Sequence, residues 1–546
     1  MQLVVKFTAL IFLYFATQFA NAQQSTYQIL DVNNFHLGLF QQGRLALSGN
    51  NNIYAEAPAG GGVGPLSAGM LWLTGRNQYG ELLGYMSTYY NYGAPGVGPT
   101  ADSIFTVDQL NIYYDKYYGV WKITADEIEY HRQHWHENNY LMPQSISEWP
   151  ANGDANLKTA EQLAPFADRN GNKLYEPQLG EYPVIRGDNC LFTMINDYNS
   201  LPDDIPGVTT KSGTEIHIMM YAYNDALNSL LGNTIFLNYK IINRSDYNDL
   251  TELYLGHFID FELGYYGDDF IGCNSALNLF YVYNGDLNDG FDTLNYENQL
   301  PAFGVTSLSH PLLSFMPAFK DFSVIAIPYN TEESFYYLQG IYKDGTHLTY
   351  GGNGYGGETN TNFYMNSRPD GPLGWNEINE GNPPNDRRGV GGLGPFQLMR
   401  GDTLCIEMAM IFANDLNYTD NISSVNLLYS FAAQLQAIYA FNNTQPCINS
   451  INDTTIKSLY APDMNSFLLF PNPATEYVNV FAGSMHDETL EVELFNMARQ
   501  KVFAGSYEIA EPNSTFTIPL SNLQSGIYEV VFYYDGYPNT ELLMVK

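Results

Sequence analysis

Between Thr214 and Asp260 the chain carries three segments, EIHIMMYAY, TIFLNYKIIN and LYLGHFIDF, in which apolar and polar positions largely alternate. Alternation sends successive side chains to opposite faces, so these segments predict strands of a sandwich with one buried face on each sheet. From Ile53 to about Val120, glycine-rich turns (AGGGVGP, YGAPGVGP) separate short aromatic segments such as MLWLTG and LLGYMSTYY, the pattern of antiparallel strands. Two stretches keep helical spacing instead. Thr124 followed by Glu127 makes a capping box ahead of IEYHRQHW, and SSVNLLYSFAAQLQAIYAF repeats Leu and Ala at helical intervals. The runs YGGNGYGGETN and SRPDGPLGW predict long surface loops.

From Asn442 to about Ser466 the apolar periodicity lapses into a polar, turn-forming stretch, which predicts a linker. The pattern then resumes in FLLFPNPATEYVNVFAG, TLEVELFN, KVFAG, STFTIPLSNL, GIYEVVFYYDG and ELLMVK, short strands divided by turn residues. The expected fold class is therefore mainly β. Residues 23–441 form a large β-sandwich body with about two helices, 442–466 a linker, and 467–546 a small Ig-like β-sandwich. At the other end, MQLVVKFTALIFLYFATQFANA has a short n-region with Lys6, an apolar stretch from Phe7 to Phe19 and the small-x-small site Ala20-Asn21-Ala22. That is the form of a signal peptide over residues 1–22. The apolar stretch is shorter than the roughly 20 residues of a spanning helix, and no later run predicts a transmembrane segment.

Charge narrows the partners. With 23 Lys+Arg against 58 Asp+Glu in 546 residues, the formal net charge of -35 repels nucleic acid and anionic lipid and offers many oxygen ligands to hard cations. Cys190, Cys273, Cys405 and Cys447 allow up to two disulfides in any of three connectivities, or buried free thiols. None lies in a CxxC pair, which disfavours a thiolate metal site.

Pro471-Asn472-Pro473 after an apolar strand, LFNMARQKV, Leu523 with Ser525-Gly526-Ile527-Tyr528 entering a strand, Gly536 and the terminal LLMVK resemble the type A sorting domain of type IX secretion along the whole final module. Ala498 and Arg499 stand where that family usually has a Gly-Arg turn. The resemblance implies recognition by the outer-membrane translocon, passage through the periplasm, and release or attachment at the cell surface. The body resembles a family of large Bacteroidetes secreted proteins bearing this tail, on LDVNNFHLGLFQQGRL, LAPFADRNGNKLYEPQLGEYPVIRGDN, GHFIDFELGYYGDDFIGCN and NDRRGVGGLGPFQLMRGD among others. That second resemblance implies location and architecture, and no chemistry.

Two constellations could bind a metal. In DRNGNKLYEPQLGEYP, Asp168, Asn170 and Asn172 stand at alternate positions, the Leu174 carbonyl falls two further on, and Glu176 and Glu181 follow. Alternate oxygens and a backbone carbonyl in a tight loop suit calcium, although the glycine is Gly171 and position twelve is Leu179 rather than an acid. An Asx-turn loop held by its own backbone is the competing reading. Asp260, Glu262, Asp268, Asp269 and Asn274 form the second cluster, either another cation site, a solvated acidic loop, or the acids of a carbohydrate-active hydrolase. His131, His134 and His136 with Glu137 lack zincin spacing, and Glu215 with His217 reads as a pair on one strand face. The expected role is a non-enzymatic binding or surface-structural protein, with calcium as candidate cofactor and a glycan or other surface ligand as candidate partner beside the translocon.

Overall fold

The computed structural model describes residues 25–46, 54–86, 95–101, 106–197, 211–225, 229–290, 295–319, 323–418, 420–441, 444–452, 467–470, 474–482, 488–496, 499–509, 515–534 and 537–545. The signal segment 1–22, Pro471-Asn472-Pro473, Ala498, Gly536 and linker residues 453–466 lie outside them.

Among the described residues, two nine-stranded sheets build the body. The first runs Tyr27–Leu30, His36–Phe40, Leu45–Ala46, Leu66–Asn77, Leu250–Phe261, Arg388–Leu398, Ser314–Pro317. The second runs Asp269–Asn274, Leu279–Asn284, Ala302–Ser307, Thr403–Ala413, Thr234–Asn243, Thr214–Ala222, Asn189–Asn196, Gly96–Val97. Thr214–Ala222 and Thr234–Asn243 pair antiparallel, as their sequence adjacency favours. The next strand, Leu250–Phe261, crosses to the opposite sheet.

Alternation explains how the sheets pack. Ile216, Ile218, Leu237, Tyr239, Ile406 and Met408 of the second sheet share one core with Leu253, Leu255 and Ile259 of the first. Tyr239 Oη meets His257 Nε2 across that core at 3.0 Å. The intervening residues are buried as well, so the expectation of one buried face per sheet is corrected. Met219, Tyr221, Phe236 and Ile411 join a second core with residues of the helices, and Met70, Trp72, Tyr254 and Phe258 join a third with Phe335 and Leu338. Strands buried on both faces read as continuous apolar runs, which is why TEIHIMMYA has every residue buried.

Six helices occur among the described residues: α1 Val107–Tyr117, α2 Ala125–His134, α3 Gln144–Ser147, α4 Thr331–Tyr337, α5 Glu377–Glu380 and α6 Ser423–Phe441. The Thr124/Glu127 capping box forms as read, and α6 spans the whole Leu/Ala-rich stretch. α1 corrects the all-strand reading of residues 53–120. A capping box of Thr106 and Gln109 starts it, and Tyr113 and Tyr117, four apart, are its buried stripe. The glycine-rich stretch 349–378 is more than surface loop: Tyr364 and Trp375 are buried, and a Cβ on Gly354 (φ +85°) would come within 2.8 Å of Leu348. Cys405 and Cys447 are joined by a disulfide, while Cys190 and Cys273 are buried free thiols.

The polar stretch after α6 begins docked to the body. Besides the disulfide, Arg186 donates to the Gln445 carbonyl, Asn238 Nδ2 to the Pro446 carbonyl at 2.6 Å, and Ile451–Asn452 pairs parallel to Ala167–Asp168.

Among its described residues the C-terminal module has seven strands in two sheets, one of Leu468–Phe470, Tyr477–Phe481 and Thr515–Pro519, the other of Lys501–Ile509, Glu488–Asn496, Gly526–Tyr534 and Tyr537–Val545. Its core, with Val478, Val480, Val492, Leu494, Val530 and Phe532, draws only on residues 467–545. At the Ala498-Arg499 departure, Arg499 adopts φ +59° and its amide donates to the Asn496 carbonyl at 2.8 Å, which closes the hairpin.

Candidate functional site

The loop after strand Phe166–Asp168 carries Asp168, Asn170, Asn172, Glu176 and Glu181, joined by hydrogen bonds among themselves and to the loop's own amides. Asp168 is buried, and its two oxygens accept from the Gly171 and Lys173 amides at 2.7 and 2.9 Å. Asn170 and Asn172 accept from the Asn172 and Leu174 amides at 2.9 and 2.8 Å, and both donate to Glu176 Oε2, at 3.0 and 2.6 Å. Glu181 accepts from the Arg169 and Glu176 amides at 3.0 and 2.7 Å. Burial pushes the Glu181 carboxyl up, and those two amides pull against it. The donor set is all oxygen, which fits a hard cation; the geometry is that of consecutive Asx turns. Among the described residues no group of three or more His, Cys, Asp or Glu side chains is arranged to hold a metal ion.

The second cluster separates. Asp260 lies in the first sheet, where Arg388 Nε approaches it at 2.7 Å and Ser67 Oγ donates at 2.8 Å; burial still pushes its carboxyl up to about 7. Glu262, just past the strand, donates its amide to the Pro65 carbonyl at 3.2 Å. Asp268 ends the short turn Tyr266–Asp268 and Asp269 opens a strand of the second sheet; they accept from the Gly290 and Leu263 amides at 3.0 and 3.2 Å. Asn274 ends that same strand, five residues away and so on the order of 17 Å from Asp269. Its place is taken by Asp289, which the sequence reading missed: almost fully buried, it accepts from the Tyr265 and Tyr296 amides at 2.8 and 2.5 Å. Burial, reinforced by Asp289, pushes Asp268 up to about 7, and burial pushes Asp269 well above the carboxylate range.

Beside this cluster lies a cavity of about 410 Å³, lined by Phe319, Asn353, Tyr364, Glu377, Asn385, Asp386 and Arg387 among others. The chain that lines it runs from α5 into strand Arg388–Leu398. Gly389 and Gly391 of that strand sit against the rings of Phe315 and Phe280, where a Cβ would come within 2.5 and 2.4 Å. Glu377 is fully buried and accepts from Arg387 Nε at 3.1 Å and Asn382 Nδ2 at 2.5 Å. The Arg387 guanidinium lies over Phe270 and Phe319, at 6.0 and 5.7 Å from the ring centres. Asp386 accepts from Arg388 Nη2 at 3.0 Å, and its Oδ1 is buried with no partner among the described residues.

The remaining singled-out residues have structural partners. His131 is buried between Tyr140 Oη at 2.6 Å and the Glu181 carbonyl at 3.0 Å, and His134 faces Glu137 at 2.9 Å. His217 and Glu215 meet at 2.9 Å on one strand face, with Arg244 at 3.0 Å from the same carboxylate oxygen.

In the C-terminal module, the match is to the family described as the secretion system C-terminal sorting domain, over residues 468–546. This module is a type IX secretion sorting domain. The sorting domain marks the chain for export, with secretion or attachment to the outer surface, and implies engagement with the type IX machinery. No curated protein matches the sequence. Among solved structures, the chain is similar to a polysaccharide lyase at 10% identity and TM-score 0.19, covering 65% of this chain and 39% of that one. It is similar also to dimeric latent PorU from Porphyromonas gingivalis at 9% identity and TM-score 0.14, covering 90% of this chain and 42% of that one. The chain thus spans about two fifths of the length of either structure, and at these TM-scores neither likeness bears on fold or activity. No helix among the described residues is long and apolar enough to cross a membrane.

Proposed function

We propose that this chain is a type IX cargo of a Bacteroidetes-type bacterium, whose body works in the medium or on the outer cell surface as a non-enzymatic binding or surface-structural protein. The sorting domain at residues 468–546 carries this reading, because it gives the chain an address outside the cell. In this account residues 1–22 are the signal peptide for the first membrane. The body binds calcium at Asp168, Asn170, Asn172, the Leu174 carbonyl and Glu176, and it engages a glycan or another surface ligand. The acidic net charge and the all-oxygen loop support the calcium assignment.

Hydrolysis of a glycosidic bond requires two carboxyl groups across a cleft, one able to give up a proton to the leaving oxygen. Asp260 is instead engaged by Arg388 and Ser67, and both Glu377 oxygens are engaged by Arg387 and Asn382, which favours binding over catalysis. Fractionation of the producing cells with N-terminal sequencing tests the address. The expected form is extracellular or surface-bound and begins at Gln23; a periplasmic protein retaining Met1 would overturn it.

A further inference from the structure

We infer that the cavity between α5 and the start of strand Arg388–Leu398 is a binding site for a neutral saccharide. This rests on the proposed binding role and names its site. The size suits a small ligand, since about 410 Å³ falls in the range of roughly 300–1,000 Å³ typical of such pockets.

Charge selects the ligand class. The cation in the wall, Arg387, is already neutralised by Glu377 and covered by two aromatic rings, so it has no unpaired charge to offer a phosphate or carboxylate. Asp386 adds a partly exposed carboxylate to the wall, which disfavours an anion further and offers an acceptor for a hydroxyl. Asn353 and Asn385 use their side-chain oxygens on the Tyr355 and Asp386 amides, at 3.2 and 2.8 Å. Their NH2 groups have no partner among the described residues and remain as donors. Fixed acceptors and donors together match the hydroxyls of a sugar, each of which both donates and accepts.

Aromatic side chains line the cavity and flank Asn353 along the chain. Phe319 and Tyr364 line the cavity, and Tyr350 and Tyr355, within three residues of Asn353, are half exposed at 51% and 40%. Tyr350 packs on Trp375 and Tyr355 on Tyr342, so both rings are held in place before any ligand arrives. Rigid rings with a polar tip give contact area to the apolar face of a pyranose at low entropic cost.

The test is calorimetric titration of the full exported chain with cello-, xylo-, malto-, manno- and chito-hexaose, with hexagalacturonate as the anionic comparison. At least one neutral hexaose should bind, and Asn353→Ala and Asn385→Ala should each weaken it by tenfold or more with an unchanged unfolding midpoint. No binding by any neutral hexaose, binding of hexagalacturonate alone, or neutral binding insensitive to both substitutions would overturn the assignment. Export is scored separately by fractionation, so an exported chain that binds no sugar refutes this site and leaves the address standing.

Discussion

Replacing Asp168 with Ala separates a cation-binding loop from a loop held only by its own backbone. The substitution removes the acceptors of the Gly171 and Lys173 amides. Hydrogen bonds to a charged acceptor contribute about 1.5–3 kcal/mol each, and water reaches part of this loop, so a loss of about 3 kcal/mol is expected in chelator. Calcium that binds only the folded loop adds about 2.7 kcal/mol to the wild type at a hundred times its Kd and nothing to the variant. The gap between the two proteins should therefore grow from about 3 to nearly 6 kcal/mol. Tryptophan fluorescence in a denaturant titration isolates the body, because Trp72, Trp121, Trp135, Trp149 and Trp375 all precede the sorting domain. Should the gap be the same in calcium and in chelator, Asp168 would be a turn residue and the calcium assignment would fall.

Three further outcomes follow from buried contacts. Burial alone would raise the Glu215 carboxyl, but the hydrogen bond from His217 and the Arg244 charge hold it at about 2. A folded value below the unfolded value gives stability that is present above about pH 4.5 and lost as pH falls toward 2, worth about 3 kcal/mol, so Glu215→Gln should flatten that acid limb in a pH series of unfolding midpoints. Trp72→Ala empties a fully buried site stacked on Phe258 and should cost about 3–5 kcal/mol by denaturant titration. Cys447→Ser opens a 42-residue separation and should cost about 2–4 kcal/mol, with reductant giving the wild type the same loss.

Local signals survived into the structure where one short-range cause decides the outcome. Thr124 and Glu127 cap a helix whatever lies around them, and the strands of the sorting module fall on the apolar segments that the sequence sets apart. α1 was missed because Tyr113, Tyr114, Tyr117 and Tyr118 resemble strand aromatics, although Thr106 and Gln109 carried the capping signal. The assignment of Leu250–Phe261 to the opposite sheet, and the second buried face of each sheet, depend on contacts made by residues far apart in the chain. The same holds for the site. The loop at residues 168–181 is contiguous and was legible as a set of oxygens, whereas the cavity joins residues from Phe319 to Arg387 and no local spacing marks it. Asp289 stands in the cluster where Asn274 was expected, because Asn274 ends the strand that Asp269 begins.

The address outside the cell is tested most directly by deleting residues 467–546 and fractionating the cells. The body core contains no residue of the sorting domain core, so the truncated chain should fold, resist protease and accumulate in the periplasm while the full chain leaves the cell. Truncated protein reaching the medium or the cell surface without lysis would contradict the account.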